Sequence, residues 1–296
     1  MGTTKIKATS VATAMWWAVF ALLFPAAAGI YFFGIQSFFL IISTVLISVI
    51  AEALFQFFSK QKITVNDGSA VVTGLLLALI LPPQLPIWIG GIGAVFAIVI
   101  VKGLFGGLGF NVFNPALAAR GLLLLSWPLA MTTWYKPFEA ITTATPLYLA
   151  KGGMVSFDYY DLFIGFRAGS IGETSSLAIL IGAAILFYKK IISWPTPIFY
   201  ILTVALFTFI LGEDPIFYIL SGGLLIGAFF MATDAATVPK TILGRIIFGF
   251  GAGFFTVIIR FFGTFPEGVT YSILIMNMLT PLLDKYLWQA KFGVNE

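Results

Sequence analysis

The residues best placed to do chemistry lie in one polar stretch, where Thr142, Thr143, Ala144 and Thr145 follow Glu139 and precede Pro146 and Leu147. Pro146 disfavours helical backbone at Thr145 and pushes it toward an extended conformation. That predicts an exposed hydroxyl, free of intrahelical hydrogen bonding. Threonine is a weak nucleophile unaided, so a group attached there needs an external enzyme; an ordinary turn gives the same local pattern. The chain has neither Cys nor His. Iron–sulfur clusters, haem held by His or Cys, and ordinary zinc sites are therefore excluded, and no metal centre is expected. An electron carrier here must be organic or belong to a partner.

Other candidates surround this stretch. Lys136, Lys151 and Arg167 are the cations of the same segment and are candidates to face an anion. Thr174 and Ser175 precede an apolar run as N-caps do; the helix they start offers N–H groups to an anion, and solvated loop charges with an ordinary cap give the same pattern. Asn111 and Asn114 are three apart and share a helix face; such pairs also glue helices together. Arg120 falls within an apolar segment. Glu52, Asp234 and Asp284 are acids at or near the ends of apolar runs, with Asn277 on the same helix face as Asp284. The glycine runs Gly249, Gly251, Gly253 and Gly90, Gly91, Gly93 sit inside apolar segments. They suit close helix packing, not a strand–turn–helix dinucleotide loop, so no NAD site is expected.

The elements that must position these residues are membrane spans. Apolar residues make up 60% of the chain and charged residues 9%, against about a quarter charged in soluble domains. Lipid is the solvent this composition requires, and the basic balance does not signal nucleic-acid binding. Full spans of roughly 20 residues are expected at about Ala14–Phe33, Ile35–Phe58, Pro86–Val101, Val112–Trp127, Ser176–Tyr188, Thr196–Leu211, Ile216–Met231, Ile242–Phe262 and Val269–Asp284. Ser69–Leu81, ending at Pro82 and Pro83, is a short tenth. The first run lacks a small-residue cleavage site, so no cleavable signal is expected. With the N-terminus inside, Lys5, Lys7, Lys60, Lys62, Lys102, Lys189, Lys190, Lys240, Arg245, Lys285 and Lys291 all fall on the inner side. The positive-inside rule then puts both termini in the cytoplasm and the loop 128–175 outside.

The halves echo each other, Thr73 to Ala78 against Gly222 to Gly227, each followed by a Gly-rich span ending in a cation, Lys102 or Arg260. An all-α polytopic protein of about ten helices follows, a single membrane domain with one short or broken helix per half. Its parts are a first repeat 1–127, the loop 128–175 and a second repeat 176–296. Five crossings per half give inverted repeats, which place sites where broken helices meet.

The run ending Ala144-Thr145-Pro146-Leu147 resembles the flavinylation motif of the family containing the D subunit of Rnf complexes and the B subunit of sodium-pumping NADH:quinone reductase. There the pattern is approximately Asp, then Ser/Thr-Gly-Ala-Thr; Glu139 stands where Asp is usual and Thr143 where Gly is common. Further resemblances run along nearly the whole chain: Asp67-Gly68, Thr73-Gly74, Leu81-Pro82-Pro83, Lys102 to Leu117, Gly172-Glu173-Thr174-Ser175, Met231 to Asp234, and Asn277 to Asp284. The short N-terminal extension favours the Rnf type. The resemblance implies FMN on Thr145 through a phosphoester bond, with Thr142, Thr143, Ala144 and Glu139 around it and Glu173, Thr174 and Ser175 nearby. A second, non-covalent flavin such as riboflavin is implied near Asn111 and Asn114, with Arg120 balancing a flavin or a buried acid. A cation path past Glu52, Asp234 and Asp284 and a fold similar to urea transporters are implied too. So is membership of a multi-subunit translocase of bacterial or archaeal (inner) membranes that exchanges electrons between ferredoxin and NAD and moves Na⁺ or H⁺. The expected partners are the other Rnf subunits, among them the second FMN-carrying one (the G type) and the iron–sulfur membrane pair (the A and E types), and a flavin transferase. NAD and ferredoxin sites belong to those other subunits. The alternatives are a component of the reductase type, a urea-transporter-like channel, and a static scaffold.

Overall fold

A computed structural model describes residues 11–139, 141–153, 158–263 and 267–292. Lys5 and Lys7, used above to orient the chain, lie outside them. The described fold is helical, with a single two-stranded hairpin among its residues. Helices α1 (Val11–Phe33) and α2 (Ile35–Phe58) form an antiparallel pair joined at Gly34, and α3 (Ser69–Leu79) packs against both. Helix α4 (Ile87–Val95) runs on into a π-helical turn, Phe96–Gly103, before α5 (Pro115–Ser126) and the single turn α6 (Pro128–Met131).

Between the halves lie the strands β1 (Trp134–Tyr135) and β2 (Thr142–Thr143) and the short helices α7 (Pro146–Lys151) and α8 (Tyr159–Ile164). The second half holds α9 (Ser176–Tyr188), α10 (Pro195–Ile210), α11 (Pro215–Leu220) and α12 (Leu224–Ile226, continued by a π-helical turn to Met231). Helices α13 (Ile242–Phe262) and α14 (Val269–Phe292) close it.

Three of these helices, α1, α2 and α13, are long and apolar enough to cross a bilayer alone, and several shorter apolar helices accompany them. Their outer faces carry exposed Phe39, Leu46, Ile50, Leu125, Leu202 and Phe209, the surface of a protein dissolved in lipid. This is a helical membrane protein.

The structure revises two expected spans. The run Val112–Trp127 begins as helix only at Pro115, because Asn114 is its N-cap: the side-chain oxygen accepts the Leu117 N–H at 3.2 Å. The run Ile216–Met231 is broken, not continuous. Gly222 and Gly223 take φ of 65° and 68°, a left-handed conformation in which glycine alone is unstrained, and the backbone turns between α11 and α12.

Buried cations seal the two irregular places. Lys102, on the π-helical turn, donates to Glu52 Oε1 at 2.6 Å and to Ser69 Oγ at the start of α3. Arg260, near the end of α13, donates to the carbonyls of Tyr218 at 2.6 Å and Ser221 at 2.8 Å. The carbonyl groups left over where α11 stops are thereby satisfied without water.

Candidate functional site around Thr145

The hairpin is what delivers Thr145. Trp134 pairs with Thr143 and Tyr135 with Thr142, and the hairpin tip is pinned to the end of α1. There the Phe138 N–H donates to the Phe32 carbonyl at 2.9 Å, and the Phe138 ring packs on Tyr31, Phe32 and Phe166. The chain leaves β2 with Ala144 and reaches Thr145 in the extended conformation (φ −66°, ψ 155°) that Pro146 favours.

The expected exposed, unbonded hydroxyl is corrected on both counts. Thr145 is buried and caps α7, its Oγ accepting the Tyr148 N–H at 3.4 Å. The bond is long for its kind, and the residue lines a cavity of about 420 Å³. That volume falls within the range of small-molecule sites. Arg120, Trp134, Ala144, Glu267 and Tyr271 share its wall.

Arg120 is buried on α5 and makes an ion pair with Glu267 at the entry to α14. Of the two roles considered for Arg120, partnering a buried acid is the one seen. Burial pushes the Glu267 carboxyl up to about 7, Arg120 pulls the other way, and Glu173 adds to the rise. A water-sized chamber behind the cavity shares Arg120, Glu267 and Thr270 with it and is lined further by Glu173, Gly222 and Gly223.

The remaining candidates of the loop fall into three groups. Ala144 lines the cavity, whereas Thr142 and Thr143 are spent on the hairpin and Glu139 pairs in the open with Lys136 at 2.7 Å. Ser175 caps α9 through the Ala178 N–H, and the Thr174 hydroxyl donates to the Ser170 carbonyl at 3.0 Å. Glu173 accepts the Ser170 N–H at 2.8 Å. These three tie down their own loop and do not line the Thr145 cavity. Arg167, expected to face a phosphate, instead donates to the carbonyls of Thr174, Glu173 and Leu220. Burial draws its pKa down to about 10, so it stays protonated at neutral pH. Lys151 reaches the Gly263 carbonyl.

Asn111 and Asn114 line a second cavity, of about 170 Å³, at the other end of α5, together with Lys102, Thr73 and Asp234. Asn114 ties two helices together through its backbone, its main-chain N–H donating to the Asn277 side-chain Oδ1 at 3.0 Å, while its own side chain caps α5. Asp284 accepts the Lys240 N–H at 2.9 Å, Glu52 is paired with Lys102, and Asp234 accepts the Ala236 N–H at 3.2 Å while sharing the second cavity with Lys102. Among the described residues they form no carboxylate cluster. Glu267 is a site residue that hydropathy and motif spacing did not single out. A signal for it exists: it is the lone acid between Asp234 and Asp284.

The sequence model of the NQR2, RnfD, RnfE family matches residues 4–293. The chain belongs to that family. Among relatives, it is 50% identical to the D subunit of the Na⁺-translocating ferredoxin:NAD⁺ oxidoreductase complex of Acetobacterium woodii, over 97% of this chain and 92% of that one. It is 45% identical to the D subunit of the proton-translocating ferredoxin:NAD⁺ oxidoreductase complex of Clostridium ljungdahlii, over 96% and 92%. The D subunit of the ion-translocating oxidoreductase complex of Stutzerimonas stutzeri is 37% identical over 93% and 90%.

Helix α7 is held in place by Leu147 packing onto Gly222. An added Cβ on Gly222 would collide with Leu147 Cδ1, and Leu147 lies two residues beyond Thr145. Gly222→Ala is therefore expected to displace α7 and to strain a left-handed position, costing about 1–3 kcal/mol. The check is a fall in the melting temperature of the detergent-solubilised chain, larger than the fall for Gly212→Ala, which carries the backbone strain alone. Gly212 also has positive φ, but nothing lies within 4 Å of its Cβ position.

Proposed function

We propose that this chain is the D-type membrane subunit of an ion-translocating ferredoxin:NAD oxidoreductase complex, and that Thr145 bears FMN through a phosphoester bond. The observation that carries this reading is the Thr145 side chain in the wall of a cavity of about 420 Å³ that also presents an arginine and three aromatic rings, Trp134, Tyr148 and Tyr271. Bound there, the flavin supplies one- and two-electron transfer, and the protein supplies position and electrostatics. Thr145 fixes the attachment point, Arg120 offers the charge an anionic group needs, and Trp134 and Tyr271 shield a planar ring from water.

The two-repeat arrangement belongs to the same proposal. Ten crossings in two inverted sets of five account for several pairings at once. The first helices of the sets, α1 and α9, pack together, and so do the fifth, α5 and α14. Asn114 of one fifth helix bonds Asn277 of the other. Lys102 and Arg260, each late in a fourth element, hold the start or the break of a third. With both termini cytoplasmic, the Thr145 cavity faces the outer side of the cell membrane and the Asn111–Asn114 cavity the inner side. A non-covalent flavin such as riboflavin beside Asn111 and Asn114 belongs to the same proposal, and the second cavity, at about 170 Å³, must widen to admit it. The partners are the other subunits of the complex and a flavin transferase.

The identity of the ion does not follow from similarity, since relatives at 50% and 45% identity are named for Na⁺ and for protons. Transport by the whole complex in vesicles, with and without Na⁺, decides it. The flavin reading is tested on the chain produced with and without its flavin transferase. A fluorescent band after denaturing electrophoresis, present only with the transferase, supports it; a dark band in both overturns it.

A further inference from the structure

Arg120 and Glu267 face each other in the wall of the Thr145 cavity, and each has a second neighbourhood. Arg120 lines the cavity and the water-sized chamber behind it, and Glu267 lines both as well. The side chains are 8% and 17% exposed, an exposure that these two spaces can provide. The chamber has a volume of about 10 Å³, room for about one water, and it offers that water polar partners. The groups facing Glu267 are Arg120 of α5, Glu173 of the loop before α9 and Arg260 of α13; Tyr271 of α14 and Tyr148 of α7 line the same cavity.

We propose that Arg120 and Glu267 form a proton-coupled anion site: when the occupant of the Thr145 cavity gains a negative charge, Arg120 turns to it and Glu267 binds one proton. This rests on the flavin reading of the cavity. The charges balance, one negative charge gained by the occupant against one proton gained by Glu267. In a titration the electrons come from an added reductant such as dithionite and the proton from water. Physically, a buried arginine cannot serve two carboxylate-like partners without leaving one of them under-neutralised. The partner that can shed its charge by protonation is the one to yield. Glu267 is poised to do so, since burial already pushes its carboxyl up to about 7. Glu173 adds to that poise through like-charge repulsion, and the chamber lined by both acids has room for a water to hand the proton on. Arg120 and Glu267 are positioning residues here, because they set the charge around the reacting group without reacting with it.

The test is the midpoint potential of the covalently held flavin across the neutral pH range, in wild type, Glu267→Gln and Glu267→Asp, each first checked for in-gel fluorescence. Above about pH 7, where Glu267 starts out charged, wild type is expected to take up one more proton per two electrons than Glu267→Gln. That is tenfold in the equilibrium constant per pH unit, a slope steeper by about 30 mV. Glu267→Asp keeps a titrating carboxyl and is expected to keep the steeper slope, and it serves where Glu267→Gln accumulates poorly. Equal slopes in wild type and Glu267→Gln, with fluorescence intact, overturn the proton coupling and leave the flavin reading standing. A dark wild-type band overturns the flavin reading itself.

Discussion

Thr145→Ala is expected to abolish the flavin fluorescence of the denatured chain while leaving the protein folded. The two halves of that expectation have separate physical grounds. The Thr145 hydroxyl is the oxygen through which a phosphoester would be made, and alanine offers none. Its structural duty is modest: it caps the short helix α7 through one bond of 3.4 Å, and loss of such a cap costs about 0.5–2 kcal/mol. Leu147, buried against Gly222, keeps α7 seated. Thr145→Ser restores both the oxygen and the cap, so it is expected to recover fluorescence in part or in full. Thr142 and Thr143 provide the internal control. Both sit on β2 outside the cavity wall, so Thr142→Ala and Thr143→Ala should stay fluorescent. Fluorescence persisting in Thr145→Ala would move the attachment to one of them and defeat the Thr145 assignment.

The sequence made the apolar elements legible because lipid imposes a simple rule of length and composition. Ile35–Phe58, Ser176–Tyr188 and Ile242–Phe262 could be read off to the residue, since each is bounded by glycine, a cap or a charged turn. A short or broken helix in each half was expected; what escaped was where the backbone breaks. An apolar run such as Ile216–Met231 looks continuous until the carbonyls at Tyr218 and Ser221 are seen to need Arg260. Hydropathy carries no information about which buried cation satisfies which broken turn. The candidate site divides in the same way. Thr145 was visible because its chemistry is local: a hydroxyl followed by a proline. Arg120 and Glu267 come together across 147 positions of chain, and the partner of a buried cation cannot be told from one sequence. Arg167 shows the converse error. Its place in a polar loop suggested an anion partner, whereas the loop folds back and surrounds it with carbonyls.

Lys102→Met is expected to destabilise the chain by about 3–5 kcal/mol, the cost of leaving a buried partner charged and alone. Glu52 and Lys102 are 5% and 3% exposed, and Lys102 Nζ is 2.6 Å from Glu52 Oε1. Glu52 Oε2 accepts no hydrogen bond among the described residues, so the Gln56 amide at 3.4 Å cannot carry the charge by itself. Lys102 also holds the Ser69 hydroxyl, which donates onward to Asp67 at the start of α3. Its loss therefore loosens α3 as well as stranding the acid. The double variant Glu52→Gln with Lys102→Met removes both charges, and it should regain most of the lost stability, because a buried pair adds little beyond its neutral replacement. Melting temperatures of the four proteins in detergent form the cycle, and additive effects would show that the pair is not coupled. The same four proteins test the cation-path role of Glu52 when the whole complex is assayed for ion transport. If Glu52 only balances Lys102, the double variant recovers transport along with stability; if its carboxylate serves the moving ion, stability returns and transport does not.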